Sequence, residues 1–217
     1  MSKIAAFEAH AEAYDAWFDR HADAYRAELE AVRRLLPAGR APARAVEIGV
    51  GSGLFAQPLG VGLGVEPSPA MAARARARGI EVLEGPAEAL PLPDAAFDLA
   101  LMVTTICFVD DPAAAVAEAA RVLAPGGRLI VGFVDAASEL GQRYERQRAH
   151  SKFYGEATFF TAREVLDLMA RAGLRFAGGT QTLTGDPPPH AVLPTPDLAR
   201  PHAPTRGAFL ALAGFRG

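Results

Sequence analysis

The chain contains no asparagine and a single cysteine, Cys107, among its 217 residues. One thiol excludes an intramolecular disulfide and any metal site built from clustered cysteines. Loss of a thermolabile amide in a chain dense in Ala, Arg and Pro is a trait of heat-adapted proteins, and GC-rich codon usage produces the same bias. No apolar run approaches the roughly 20 residues of a membrane span. The opening Met1-Ser2-Lys3-Ile4-Ala5 leads into a charged amphipathic pattern rather than the apolar core of a signal peptide, so the expectation is a cytoplasmic protein with no membrane contact. A net charge of −3 gives no bulk attraction to nucleic acid.

What is present is an apolar fraction of 50%, enough for one compact domain with a full core and too short a chain for a second catalytic one. From Phe7 to Leu36 the apolar residues Tyr14, Trp17, Phe18, Tyr25, Leu29, Val32 and Leu36 recur at helical steps of three and four. Pro37, Gly39 and Pro42 end that pattern. Strands and helices then alternate, with strands at 45–48, 61–65, 81–84, 97–104 and 128–134 and helices at 53–59, 69–78 and 112–122. Such alternation with short connections predicts a parallel sheet covered on both faces. A polar helical segment follows at Ser138 to Ser151, and Thr161 with Glu164 forms a capping box for another helix. Leu174 to Leu183 and Ala208 to Phe215 read as closing strands. Gly185 to Arg206, with seven prolines, reads as an extended loop without regular structure.

Residues Val46-Glu47-Ile48-Gly49-Val50-Gly51-Ser52-Gly53 run an apolar strand into three glycines at alternate positions. Glu66 closes the next apolar segment. Glycines are needed where the chain turns sharply out of a strand and where a ligand lies on bare backbone, and a carboxylate on the second strand can accept two ribose hydroxyls. The dinucleotide fingerprint would place a third glycine where Leu54 stands. Glycines at 49, 51 and 53, preceded by Glu47, suit a nucleoside with an amino-acid tail and no phosphate.

This pattern resembles class I S-adenosylmethionine-dependent methyltransferases, and most closely the group that includes the quinone-biosynthesis enzymes. Two later segments extend the likeness: Glu84 to Leu99, similar to the family's adenine turn and fourth strand, and Arg121 to Val131, similar to its entry into strand five. Pro86 departs from the pattern, because many relatives carry an Asp there. The resemblance implies a Rossmann-like, mostly parallel seven-stranded sheet with the last strand antiparallel, under an N-terminal helical lid. It implies a lid at 1–40, a cofactor core at 41–135, an acceptor-side insertion at 136–160 and a C-terminal helix with strands at 161–217.

On that likeness the cofactor is S-adenosyl-L-methionine, released as S-adenosyl-L-homocysteine. The expected cofactor residues are Tyr14, Trp17, Glu47, Gly49, Val50, Gly51, Ser52, Gly53, Glu66, Pro67, Ser68, Ala87, Glu88, Thr104 and Thr105. Methyl transfer from a sulfonium requires positioning and exclusion of water rather than a fixed triad. Tyr14 and His150 are the candidate catalytic groups, His150 because imidazole titrates near neutrality. Phe18, Cys107, Arg143, Arg146 and Tyr154 are the candidate acceptor contacts, with the basic cluster of Arg143, Arg146, His150 and Lys152 suited to a polar or anionic acceptor. His190 and His202 are weaker candidates. No metal is expected, and the partner is a small-molecule acceptor for a monomer or homodimer. Two other readings remain open from sequence: a non-catalytic S-adenosylmethionine-binding protein and a nicotinamide-dependent reductase.

Overall fold

The computed structural model describes residues 3–37, 44–183, 192–194 and 207–217. Two helices, α1 (Ala5–Arg20) and α2 (Ala22–Arg33), precede β1 (Ala45–Ile48), α3 (Ala56–Leu59), β2 (Leu63–Glu66), α4 (Pro69–Ala77), β3 (Glu81–Glu84) and β4 (Phe97–Val103). A 3₁₀ turn (Ile106–Phe108) leads to α5 (Pro112–Val122), β5 (Leu123–Val134) and α6 (Glu139–Gln147). The chain ends with α7 (Ala162–Arg171), β6 (Leu174–Leu183), β7 (Val192–Pro194) and β8 (Gly207–Arg216). One sheet runs in the order β3-β2-β1-β4-β5-β8-β6-β7. Strands β1 to β5 are parallel, and β8 inserts antiparallel between β5 and β6.

The core follows from side-chain alternation along the strands. Leu99, Leu101 and Val103 of β4 face the layer that holds Phe18, Val32 and Phe55, while Ala100 and Met102 face the layer of Val116, Ala119 and Val165. β8 repeats the division, with Phe209, Ala211 and Ala213 on the first side and Leu210 and Leu212 on the second. Burial on both faces explains why β4 reads as a continuous apolar run rather than an alternating one.

The structure corrects the sequence reading at two places. The single helical pattern from Phe7 to Leu36 is broken at His21, whose φ of −117° and ψ of 40° are not helical, and α1 is itself kinked at His10 (φ −136°, ψ 30°). The broken end is closed locally, since the Trp17 carbonyl accepts the His21 N–H at 3.0 Å and lies 2.8 Å from its Nδ1. Periodicity alone cannot reveal such a break, because both halves keep their apolar stripe in phase. Within the segment assigned to loop, Val192–Pro194 forms an edge strand paired with Thr180–Thr182, so the sheet has one short strand more than the seven expected. The rest of that segment, with His190 and His202, lies outside the described residues.

Helix α1 is held over the strand ends by two carboxylates. Glu8 accepts the Ser68 hydroxyl and the Ala70 N–H, the latter at 3.2 Å, at the start of α4. Asp15 is the deeper latch. It accepts from the Ser52 hydroxyl at 2.5 Å and from the guanidiniums of Arg74 and Arg78, each at 2.8 Å. Arg78 also donates to the Ser52 carbonyl at 2.8 Å. Burial alone would raise the Asp15 carboxyl, but the Ser52 hydroxyl and the two guanidiniums outweigh it and hold the group below its ordinary value of 3.8. A depressed carboxylate stabilises the fold above that ordinary value and loses its contribution as pH falls through the folded value. Asp15→Ala leaves two arginines facing a buried gap. Because those arginines are partly exposed, the expected loss is roughly 2–3 kcal/mol, below that of a fully buried pair. Chemical denaturation at pH 7 reads the loss, and hydrogen exchange should accelerate selectively over residues 5–20.

Candidate active site

Three strand ends and the lid helix enclose one crevice, at the carboxyl edge of the parallel strands where ligands of open α/β sheets bind. The first wall is the turn after β1. Gly49 (φ +67°) and Gly51 (φ +56°) take left-handed backbone, which a side chain would strain. A Cβ at Gly49 would lie 2.3 Å from Thr105 Cγ2, so Gly49 is required by internal packing. A Cβ at Gly51 would meet only Met71 Cε at 3.5 Å. Gly51 therefore keeps backbone bare toward the crevice.

The second wall is Glu66 at the end of β2. Its Oε2 accepts the Gly51 N–H at 2.9 Å and its Oε1 accepts the Ser68 N–H at 3.0 Å. Each carboxylate oxygen keeps a second lone pair, and Glu66 lines the crevice. This donor set can accept a pair of ribose hydroxyls. Burial raises the Glu66 carboxyl, against the two N–H bonds, and the Glu8 charge raises it further.

The third wall is Thr104 and Thr105 beyond β4. Thr104 has φ +55°, an outlier for a β-branched residue that costs on the order of 1–3 kcal/mol and persists where the surroundings impose it. Its N–H is bound to the Gly132 carbonyl at 2.7 Å. The crevice has a volume of about 190 Å³ and is closed by Lys3, Ile4, Phe7 and Tyr14 from the N-terminal segment. Met71, Pro86, Ala87 and Val109 give it an apolar side. Glu88 also lines it, with its carboxylate accepting the Asp110 and Asp111 N–H groups at 2.7 and 3.2 Å.

A second, smaller chamber of about 60 Å³ opens behind this crevice. The two share Phe7, Tyr14, Thr104 and Phe108. Trp17, Phe18, Glu28, Val134, Tyr144, Phe153 and Tyr154 complete the inner wall. Its rings are mutually packed: Phe7 lies 5.5 Å from Phe153, Tyr14 lies 5.1 Å from Phe18, and Tyr144 stacks on Tyr154 at 4.9 Å. Burial drives the Tyr14 phenol upward, against a hydrogen bond with Thr104 that lowers it. Tyr14 therefore stays protonated, a hydrogen-bonding group and not a base.

Of the residues expected from sequence, Tyr14, Gly49, Gly51, Glu66, Pro67, Ala87, Glu88, Thr104 and Thr105 line the crevice. Val50 is buried beneath Gly64, Ser52 is tied to Asp15, and Gly53 lies beside Ile80. Ser68 caps α4 by accepting the Met71 N–H. Glu47 is buried, with its Oε2 lacking a hydrogen-bond partner among the described residues. Its carboxyl is raised well above the usual range by burial, against an N–H bond from Ala56. These residues shape the turn from behind.

Trp17 requires correction: it lines the inner chamber rather than the crevice, and its ring stacks on His21 at 4.3 Å. Cys107 lies in a minor side cavity, its thiol 3.5 Å from the Thr104 carbonyl and pushed up to about 12 by burial. Arg143, Arg146 and His150 also require correction. All three are exposed, and the side chain that α6 contributes to the chamber is Tyr144. Guanidinium groups without buried partners stay in water, while the intervening tyrosine turns inward. Sequence reading missed Phe7, Phe108, Tyr144, Phe153 and Glu28. Glu28 had a signal: it stands three residues after Tyr25 and four before Val32, on the apolar stripe of α2.

The glycine turn and the Glu66 carboxylate at the strand ends fit a nucleoside cofactor, and comparison with known proteins places the chain among methyltransferases. Residues 46–131 match the methyltransferase domain family. A solved S-adenosylmethionine-dependent methyltransferase of Thermotoga maritima, a possible histamine N-methyltransferase, is 46% identical. It superposes with a TM-score of 0.89 over 99% of this chain and 100% of that one. An uncharacterized protein of Methanocaldococcus jannaschii is 41% identical over 177 residues, 82% of this chain and 84% of its own length. The geranyl diphosphate C-methyltransferase of Streptomyces coelicolor, solved with S-adenosyl-L-homocysteine, shares the fold at 20% identity. Its TM-score is 0.63, over 88% of this chain and 79% of that one. The chain belongs to the S-adenosylmethionine-dependent methyltransferases, and its cofactor is S-adenosylmethionine. Among the described residues no helix is long and apolar enough to cross a membrane.

Two substitutions test the crevice by calorimetry with S-adenosyl-L-homocysteine. Glu66→Ala removes the hydroxyl acceptor and frees the Gly51 N–H, an expected loss of about 1.5–3 kcal/mol or roughly ten- to a hundredfold in Kd. Gly51→Val fills the bare approach and should abolish binding. Wild-type affinity in either variant would remove that residue from the site.

Proposed function

We propose that the protein transfers the cofactor methyl group to a small molecule held in the inner aromatic chamber, with Tyr14 and Thr104 at the passage between the two sites. The observation that carries this reading is the shared wall, since Phe7, Tyr14, Thr104 and Phe108 bound both cavities. When bound, S-adenosylmethionine supplies a methyl group already activated on a sulfonium. The chain's own contribution is then placement. Glu66 accepts the ribose hydroxyls, Gly51 leaves room for the amino-acid tail, and Ala87 and Met71 flank the base. The rings of Phe7, Tyr14 and Phe108 exclude water from the passage and offer π faces to positive charge.

A small-molecule acceptor agrees with the possible histamine N-methyltransferase activity of the Thermotoga maritima relative. It also agrees with the size of the inner chamber, about 60 Å³ against roughly 300–1,000 Å³ for sites that take drug-sized ligands. Transfer of a labelled methyl group from the cofactor to a library of small amines, phenols and thiols tests the reading. Tyr14→Ala should lower kcat by about a hundredfold through loss of positioning while S-adenosyl-L-homocysteine binds within threefold of wild type. Loss of cofactor binding and turnover in equal measure would return Tyr14 to the cofactor side alone.

A further inference from the structure

Among the described residues Glu28 is the one carboxylate that lines the inner chamber. Its neighbours there are the rings of Phe7, Tyr14, Trp17, Phe18, Tyr144, Phe153 and Tyr154, and among the described residues no Lys, Arg or His side chain lines the same space. Among the described residues no hydrogen bond or ion pair reaches it, and desolvation alone pushes its carboxyl up to about 8. The titratable groups within its field are the phenols of Tyr14, Tyr25, Tyr144 and Tyr154. Burial raises all four, so they present hydroxyls and no charge. A lone carboxylate in such surroundings is costly, and an apolar residue of the same size would serve packing better. Two other acids at the site are satisfied by the chain, Asp15 with two arginines and Glu66 with two N–H groups, while Glu47 faces the back of the turn and not the chamber. Glu28 is instead complementary to something that enters.

We infer that the acceptor is a compact nitrogen base, an amine or an azole, whose N–H groups Glu28 binds and whose proton it takes before methyl transfer. This rests on the acceptor occupying the inner chamber, as proposed above. The ligand that completes the chamber must donate to a carboxylate and tolerate a wall of π faces, which a cationic amine does on both counts. An anion would meet the carboxylate, and a purely apolar guest would leave it unpaired. The basic side chains that suggested an anionic acceptor are outside the chamber.

The proton count is consistent. With its carboxyl raised to about 8, Glu28 carries a proton in the free protein and gives it to water as the ammonium docks. The ammonium then gives one proton to the resulting carboxylate, and the low-dielectric wall favours this because it destabilises both charged partners. The freed nitrogen lone pair forms the bond to the methyl carbon as the carbon–sulfur bond breaks, and that electron pair stays on sulfur. The product leaves as a methylated ammonium and Glu28 keeps the proton it took, back in its resting form. Two positive charges enter, on sulfonium and ammonium. Two leave, on product and proton.

Calorimetry on the protein saturated with S-adenosyl-L-homocysteine tests this without requiring turnover, using benzylamine, imidazole, catechol and benzoate as probes. Benzylamine or imidazole should bind and the other two should not. Glu28→Gln should weaken the amine by about ten- to a hundredfold, with S-adenosyl-L-homocysteine affinity unchanged, and Glu28→Asp should recover part of the loss. Glu28→Leu should raise the thermal midpoint of the free protein while abolishing amine binding, a combination that a structural role would not give. Tighter binding of benzoate or catechol than of either base overturns the inference. So does wild-type amine affinity in Glu28→Gln, or failure of both bases to bind while S-adenosyl-L-homocysteine does. If S-adenosyl-L-homocysteine itself does not bind, the failure lies with the crevice and not with Glu28.

Discussion

The site depends on one hydrogen bond, from the Gly51 N–H to the Glu66 carboxylate at 2.9 Å. It joins the turn after β1 to the end of β2, two segments that the parallel ladder brings into register at Glu47 with Gly64 and Ile48 with Val65. The same carboxylate takes the Ser68 N–H, and Ser68 caps α4. Turn, strand end and helix start are thereby fixed to one side chain. The lid is added to that frame, because Glu8 and Asp15 of α1 bind Ser68 and Ser52, the residues beside Glu66 and Gly51. Displacing the carboxylate would loosen the ligand wall and the lid anchorage together.

The polypeptide between residues 45 and 134 was legible because its chemistry is local. A glycine turn needs glycine at the positions with positive φ, a helix start needs a cap, and buried parallel strands need unbroken apolar runs. β1, β3 and α5 accordingly fall at the boundaries read from the sequence. The break at His21 was not legible, since apolar spacing continues through it. The strand Val192–Pro194 was hidden by the proline density of its segment, and its own Pro194 sits on an edge strand, which tolerates proline where an interior one does not.

The inner chamber was the least legible part, for a physical reason. A basic cluster at helical spacing draws attention, but a solvated guanidinium costs nothing to leave in water, so Arg143 and Arg146 face outward. Tyr144, between them, was passed over. Phe7 and Phe108 are distant in sequence, yet their rings meet at 4.7 Å, a contact that exists only once α1 crosses the strand ends. Such a chamber is assembled by tertiary packing and leaves no spacing rule in the chain.

Four of the acids at the site are treated differently, and the difference separates scaffold from chemistry. Asp15 is neutralised by two guanidiniums and is held low. Glu66 receives two N–H donors and remains an acceptor. Glu47, buried at 1% exposure, has one N–H bond and one oxygen without a partner among the described residues, where its raised carboxyl can carry a proton. Glu28 has neither donor nor counter-charge, in a wall otherwise built of rings. Its side chain is half-buried, and a partly desolvated acid without a donor lowers the stability of a marginally stable fold. Its persistence on the apolar stripe of α2 therefore points away from folding and toward whatever completes the chamber when the enzyme works.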